Sequence, residues 1–187
     1  MSGKDRIRRQ QILREAEGYL DLAMLFGDDW PLTFDRRSCL AQKSLHVLDR
    51  LQASSADATE ALMLRGQALR MLERYNEAIV DLRRAAELDP ESIDVWLALG
   101  WCYKRSDRLD LAIESLESAL RSEPAAAILH YNLACYWSLA HDSDKAIRFL
   151  TQALQLNDDY RLMVHSEPDF DPIRLDPRFR ELTAVIV

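Results

Sequence analysis

Side chains that could carry out chemistry are few in this sequence, and they are scattered. The four histidines and three cysteines show neither the CxxC pairs nor the short His spacings of metal sites. These residues are His46, His130, His141 and His165, and Cys39, Cys102 and Cys135. The motifs of serine hydrolases, zinc proteases and dinucleotide- or phosphate-binding loops do not occur either. The sequence therefore predicts no catalytic residue, no metal site and no cofactor, and hence a protein that is not an enzyme.

The histidines and cysteines have a simpler interpretation as structural residues. His130 occupies the position that Trp96 holds in the preceding copy of a sequence repeat, and we expect it to take the place of that tryptophan in packing. An odd number of cysteines without paired spacing does not indicate a disulfide framework. We expect all three cysteines to be reduced thiols in the hydrophobic core.

The net charge of the chain limits the classes of partner that it is expected to bind. The 187 residues include 31 acidic and 24 basic side chains, for a formal net charge of −7. This charge would repel a phosphate backbone, so nucleic acid is not an expected partner. The first residues, MSGKDRIRRQQ, are charged and lack the apolar run of a signal peptide or membrane anchor. We therefore expect a cytoplasmic protein that does not bind a membrane.

A repeat of about 34 residues predicts the elements that position these side chains. Four columns of identical residues recur at this spacing: Ala78, Ala112 and Ala146; Ile79, Ile113 and Ile147; Leu82, Leu116 and Leu150; Ala85, Ala119 and Ala153. Only five glycines and six prolines interrupt the chain, and its composition favours helices over strands. Small and large apolar residues in fixed columns of this period indicate stacked pairs of helices.

The middle repeat carries the clearest pattern. Its residues are Trp96, Leu99, Gly100, Tyr103, Ala112, Leu116, Ala119 and Pro124. This pattern resembles the tetratricopeptide repeat family, in which W-x2-L-G-x2-Y is followed by A-x3-F, an alanine and a proline. The repeats on either side match it more loosely. The resemblance implies an all-α, right-handed solenoid of antiparallel helix pairs that serves as a protein-interaction scaffold.

The predicted chain has three parts. A degenerate helix pair occupies residues 1–58, three repeats follow at 59–92, 93–126 and 127–160, and a capping segment occupies 161–187. Within the first part we expect helices over residues 5–26 and 34–52. Trp30 and Phe34, in the loop between them, either fold under the pair as a plug or lie exposed as a contact, and we favour the plug.

The capping segment has no repeat period. It is similar to the ending of many bacterial tetratricopeptide arrays, which points to a bacterial protein. Asp171-Pro172 and Asp176-Pro177 each predict a helix start that is capped by the aspartate. We expect five apolar side chains to cover the last repeat: Phe170, Ile173, Leu175, Phe179 and Leu182.

The family resemblance also implies where a partner binds. The first helices of successive repeats line a concave groove in this family, and the corresponding residues here combine an apolar, aromatic strip with a basic corner. The predicted groove consists of Met63, Gln67, Arg70, Leu97, Trp101, Lys104, Arg105, Tyr131, Ser138 and Leu139. In the alternative interpretation, the chain's own N- or C-terminal segment covers part of this strip, and its aromatic residues belong to the core.

The predicted function is a scaffold or adaptor that binds a peptide or helix of another protein in this groove. One alternative is a secretion-type chaperone that shields an aggregation-prone client, and another is a non-catalytic subunit of an enzyme complex. A homodimer is possible. Docking of the acidic tails of heat-shock chaperones is not expected, because the positions that require Lys and Asn hold Met63, Gln67, Ala98, Ile128 and Asn132.

Overall fold

The computed structural model describes residues 3–24, 33–51 and 58–184, which are mostly helical and include no β-strand. The helices are α1 (Gly3–Met24), α2 (Phe34–Leu48), α3 (Ala58–Met71), α4 (Tyr75–Leu88), α5 (Ile93–Arg105), α6 (Leu109–Ser122), α7 (Ala127–Leu139), α8 (Ser143–Leu156), α9 (Tyr160–Val164), a 3₁₀ helix (Pro168–Ile173) and α10 (Pro177–Thr183). No helix in the described ranges has the length and apolar character needed to cross a membrane. The chain divides into two compact units, unit 1 (Met1–Cys102) and unit 2 (Tyr103–Val187).

From α3 onward the helices follow the predicted period. The second helices of the three repeats begin at equivalent repeat positions, which are Tyr75, Leu109 and Ser143. The first alanine column is completely buried, because Ala78, Ala112 and Ala146 all have 0% of their surface exposed. A methyl side chain lets a neighbouring helix approach closely, which explains the alanine in each repeat. The predicted all-α fold of helix pairs is confirmed.

The turn inside each repeat has a conformation that the sequence did not suggest. Glu73, Asp107 and His141 occupy equivalent positions in the three repeats and have φ values of 58°, 57° and 60°, in the left-handed region that favours glycine. After each of them, the next amide N–H donates to the carbonyl five residues earlier, with N···O distances of 2.9–3.0 Å. This bond closes the first helix of the repeat in a Schellman motif and reverses the chain.

In unit 1, the first helix pair continues directly into the repeats. One buried cluster joins Ile12, Leu13, Ala16 and Leu20 of α1, Ala41, Val47 and Leu48 of α2, and Leu64 and Ala68 of α3. The predicted plug is wrong for Phe34, which begins α2 and is 52% exposed. Trp30, its proposed companion, lies outside the described residues.

Close packing between α3 and α4 explains the glycine of the first repeat. A Cβ atom built on Gly66 would lie 2.6 Å from both Cγ and Cδ2 of Leu82. Leu82 is completely buried, so its side chain has no free space into which to move. Only glycine fits at this position without displacing the core.

In unit 2, the C-terminal segment packs on the last repeat largely as predicted. Phe170, Ile173 and Phe179 are buried and Leu182 is partly buried, but Leu175 is 77% exposed and takes no part in the cover. Asp176 caps α10 as expected, since its side chain accepts the N–H of Arg178. The other predicted start is wrong: Pro172 lies inside the 3₁₀ helix.

That 3₁₀ helix begins earlier than the sequence predicts, at Pro168. Glu167 provides its N-cap, because the carboxylate of this residue accepts the N–H of Asp169. Pro172 is tolerated within the helix because a 3₁₀ turn this short needs few backbone donors.

Candidate functional site

Half of the predicted groove lies in unit 1. Met63, Gln67 and Arg70 are on α3 and Leu97 and Trp101 are on α5, and all five are half-buried. The family resemblance assigns these five positions to the groove.

A cation and two aromatic rings from α3, α4 and α5 lie together in unit 1. The guanidinium carbon of Arg70 lies 5.1 Å from the centroid of the Trp101 ring. The ring of Tyr75, the first residue of α4, meets Trp101 edge-on with a centroid distance of 5.4 Å. We call these three residues the Trp101 cluster. Such stacking orients the guanidinium while leaving its N–H donors at the edges of the group.

The charge of Arg70 is not neutralised within the described part of the chain, where no carboxylate lies within ion-pairing distance of its guanidinium. Its field reaches the neighbouring thiol. Burial raises the pKa of Cys102 to about 11, and the positive charge of Arg70 opposes part of that increase. The Trp101 cluster therefore presents a positive charge beside an apolar surface, which suits a partner with a carboxylate.

In unit 2, two predicted groove residues are core residues instead. Tyr131 is 4% exposed and Ser138 is completely buried. The Tyr131 ring stacks on Tyr160 with a centroid distance of 4.6 Å and meets Phe170 edge-on at 5.7 Å. The chain's own C-terminal segment covers this face of α7, so the alternative interpretation of the sequence fits here, and neither residue is accessible to a partner.

Lys104, another predicted groove residue, is also engaged by that segment. Its ammonium group forms an ion pair with Asp169, and the two side chains are 21% and 16% exposed. The same ammonium lies 5.6 Å from the ring centroid of Tyr136 on α7. Of the other predicted residues in this unit, Arg105 is exposed and Leu139 is half-buried.

The histidine that replaces Trp96 has the predicted structural role. The Trp96 indole N–H donates to the carbonyl of Pro90 at 2.8 Å, and in the next repeat His130 Nε2 contacts the carbonyl of Pro124 at the same distance. His130 is buried. Among the described residues, no three His, Cys, Asp or Glu side chains are grouped as a metal site would require.

Two residues of these surfaces were missed by the sequence analysis. Tyr75 has Leu109 and Ser143 at the equivalent positions, so a search for repeated columns passes over it. Asp169 belongs to the aperiodic capping segment, and its only signal in the sequence was an acidic residue directly before an aromatic one. Cys39 was predicted wrongly: it is exposed, whereas Cys102 and Cys135 are buried as expected.

We expect a thiol reagent to label only Cys39 in the folded chain at pH 8. Burial raises the pKa of Cys135 far above its ordinary value, with the carboxylates of Glu167 and Asp169 adding to the effect. Cys102 titrates only near pH 11, so both buried thiols stay neutral and unreactive at pH 8. Mass spectrometry of the labelled peptides, with denatured protein as the control, measures this pattern. Rapid labelling of Cys135 in folded protein would contradict the covered face of α7.

Comparison with known proteins identifies the repeats. Two family models, both described as tetratricopeptide repeat, match residues 69–134 and 41–93, and together they cover about half of the chain. The curated relative Tetratricopeptide repeat protein 5 of Mus musculus is 28% identical over 109 residues, which make up 52% of this chain and 25% of that protein. The chain thus spans about a quarter of the length of this relative.

Two solved structures share the fold. MamA 41-end from Desulfovibrio magneticus RS-1 superposes with a TM-score of 0.64 and 19% identity, covering 97% of this chain and 94% of that one. YrrB, described as a TPR protein with an unusual peptide-binding site, gives a TM-score of 0.57 and 21% identity, covering 71% and 65%. These two likenesses concern the fold alone. The two family matches, which fall on the repeated helix pairs, show that the chain belongs to the tetratricopeptide repeat family.

Proposed function

We propose that this chain is a non-catalytic scaffold that holds a segment of another protein against the Trp101 cluster of unit 1. The observation that carries this proposal is the placement of Arg70 over the half-buried ring of Trp101. Trp, Tyr and Arg are the residues that contribute most to typical protein interfaces, and the cluster brings one of each together.

The neighbouring residues support a contact of this kind. Met63 and Leu97 add half-buried apolar surface on the same helices, and Gln67 adds an amide that donates and accepts hydrogen bonds. Proteins of this family generally act as non-catalytic scaffolds. YrrB is described as having a peptide-binding site, which supports the idea that a partner binds as a peptide.

The composition of the chain supports a class of partner and a cellular compartment. The net charge of −7 favours a protein partner over nucleic acid. An odd number of cysteines without paired spacing favours a reducing compartment such as the cytoplasm. Within unit 2, Arg105 and Leu139 are accessible and remain candidate contact residues. Tyr131 and Ser138 are buried and are no longer candidates.

The experiment is a quantitative pull-down from lysate with the wild-type chain, a Trp101→Ala variant and a Val80→Ala control. Val80 lies on α4 and is 68% exposed, so the control removes apolar surface outside the proposed contact. We expect at least one captured protein to fall about tenfold or more with Trp101→Ala, as for a typical hot-spot residue, and to be unchanged with Val80→Ala. Thermal melting checks that both variants are folded.

The captured proteins also distinguish the possible roles. An aggregation-prone secreted client would favour a chaperone, and an enzyme captured in stoichiometric amount would favour a non-catalytic subunit. If wild type and Trp101→Ala capture the same proteins in the same amounts, the Trp101 cluster is not the binding site.

A further inference from the structure

Two cations at equivalent repeat positions each lie on an aromatic ring, although the rings, Trp101 and Tyr136, are one position apart in the repeat. Arg70 and Lys104 occupy the same position in successive repeats. Arg70 of α3 lies over Trp101, and Lys104 of α5 lies over Tyr136 of α7, with distances of 5.1 Å and 5.6 Å to the ring centroids. Each cation thus lies on an aromatic ring of the first helix of the following repeat.

In unit 2, the cation Lys104 has an acidic partner within the same chain. Asp169 of the C-terminal segment forms an ion pair with Lys104. The next residue, Phe170, is completely buried and meets the ring of Tyr131 edge-on. An acidic residue followed directly by an aromatic one therefore occupies both the cation and the apolar position beside it.

Unit 1 also has a cation and an apolar residue at the two equivalent repeat positions. The residue equivalent to Tyr131 in the preceding repeat is Leu97, which is apolar and half-buried. Arg70 takes the place of Lys104 and, within the described residues, has no carboxylate partner. The cation and the apolar position are both present, and the acid that pairs with Lys104 in unit 2 has no counterpart at Arg70 in the described ranges.

We propose that the Trp101 cluster binds a partner segment in which Asp or Glu directly precedes an aromatic residue. The carboxylate pairs with Arg70, and the aromatic ring packs against Leu97 and Trp101. This inference depends on the proposed function and names the class of segment that the same surface takes.

The chemistry of Arg70 favours this pairing. A guanidinium presents two parallel N–H donors to a carboxylate, which gives a directional and charge-assisted contact. Because Arg70 already lies on the Trp101 ring, less side-chain freedom is lost when the carboxylate binds. The chain as a whole carries a negative charge, so acidic parts of its surface repel an acidic partner segment. This repulsion favours binding at Arg70 over binding elsewhere on the surface.

The test uses the chain's own acid–aromatic sequence as a probe. A fluorescent peptide with the sequence of residues 166–173, SEPDFDPI, is titrated with the full-length protein at low ionic strength, and anisotropy reports binding. A matched peptide carries Asn in place of the aspartate that precedes Phe. The proteins are wild type, Arg70→Gln and the control Arg83→Gln, which removes an exposed charge on α4.

We expect the acidic peptide to bind wild type and Arg83→Gln equally, and to bind Arg70→Gln at least about tenfold more weakly, as for a charge-assisted pair. Compared with the acidic peptide, the Asn peptide should bind wild type more weakly by a similar factor. Its affinity for Arg70→Gln should differ little from that of the acidic peptide. Equal binding of the two peptides, equal binding to wild type and Arg70→Gln, or no binding of either peptide overturns the inference. The proposed function is then still decided separately by the Trp101→Ala pull-down.

A second copy of the chain is the competing occupant. Sedimentation of wild type and Asp169→Asn identifies it, because a dimer that this substitution abolishes would place the C-terminal segment of another copy on the Trp101 cluster. That result would overturn the assignment to a different protein. A monomer in both samples agrees with the inference.

Discussion

Replacing Phe170 by alanine is expected to lower the free energy of unfolding by about 3–5 kcal/mol, the usual cost of removing a buried phenylalanine. The side chain is completely buried. Its ring contacts Tyr131 on α7 and lies 5.5 Å from the ring centroid of Phe179 on α10. The substitution leaves a cavity that joins three elements of unit 2, so little of it can be filled by relaxation.

Urea denaturation of the Phe170→Ala variant measures this loss, and Leu175→Ala is the matched control. Leu175 belongs to the same segment but is 77% exposed, so its replacement is expected to change stability by less than about 0.5 kcal/mol. The Phe170→Ala variant should also expose Cys135 to thiol reagents. If the two variants are equally stable, the C-terminal segment does not pack on α7.

Replacing Gly66 by alanine is expected to destabilise the chain by about 1–3 kcal/mol, although alanine is the better helix former. The added methyl group would lie 2.6 Å from two side-chain atoms of Leu82, which is completely buried in the core. The crowding outweighs the gain in helix propensity, which is about 1 kcal/mol.

Gly18 provides the control for this prediction. It lies within α1, and a Cβ built on it would meet no atom of the described residues within 4 Å apart from its chain neighbours and the adjacent backbone of its own helix. Gly18→Ala is therefore expected to stabilise the chain by about 0.5–1 kcal/mol. Thermal and urea unfolding of both variants give the comparison, and stabilisation by Gly66→Ala would contradict the close approach of α3 and α4.

The fold was predictable because the packing contacts that determine it recur at a fixed spacing in the sequence. Each member of the column Ala78, Ala112 and Ala146 reports the same close helix contact, so one pattern appears three times and stands out from chance. The left-handed turns were not predictable, since Glu73, Asp107 and His141 share a backbone conformation but no residue type. In those turns the hydrogen bonds of the helix end determine the conformation.

The candidate site was predictable only in part. The family resemblance assigned Arg70 of α3 and Trp101 of α5 to the groove, and the structure brings them together. It also assigned Tyr131 to the groove, but a repeat pattern carries no information about which aperiodic segment covers a helix. Phe170 covers Tyr131, and this contact joins two distant parts of the sequence without any repeated signal.

The small size of the Trp101 cluster has a consequence for how strongly a partner can be held. The cluster is built on α3, α4 and α5 alone, and the axes of neighbouring packed helices lie about 10 Å apart. An extended peptide crosses this distance with about three residues, at about 3.3 Å each. Contacts this short give fast dissociation, so long-lived complexes would require partners that present several copies of the motif or an assembly that presents several copies of this chain.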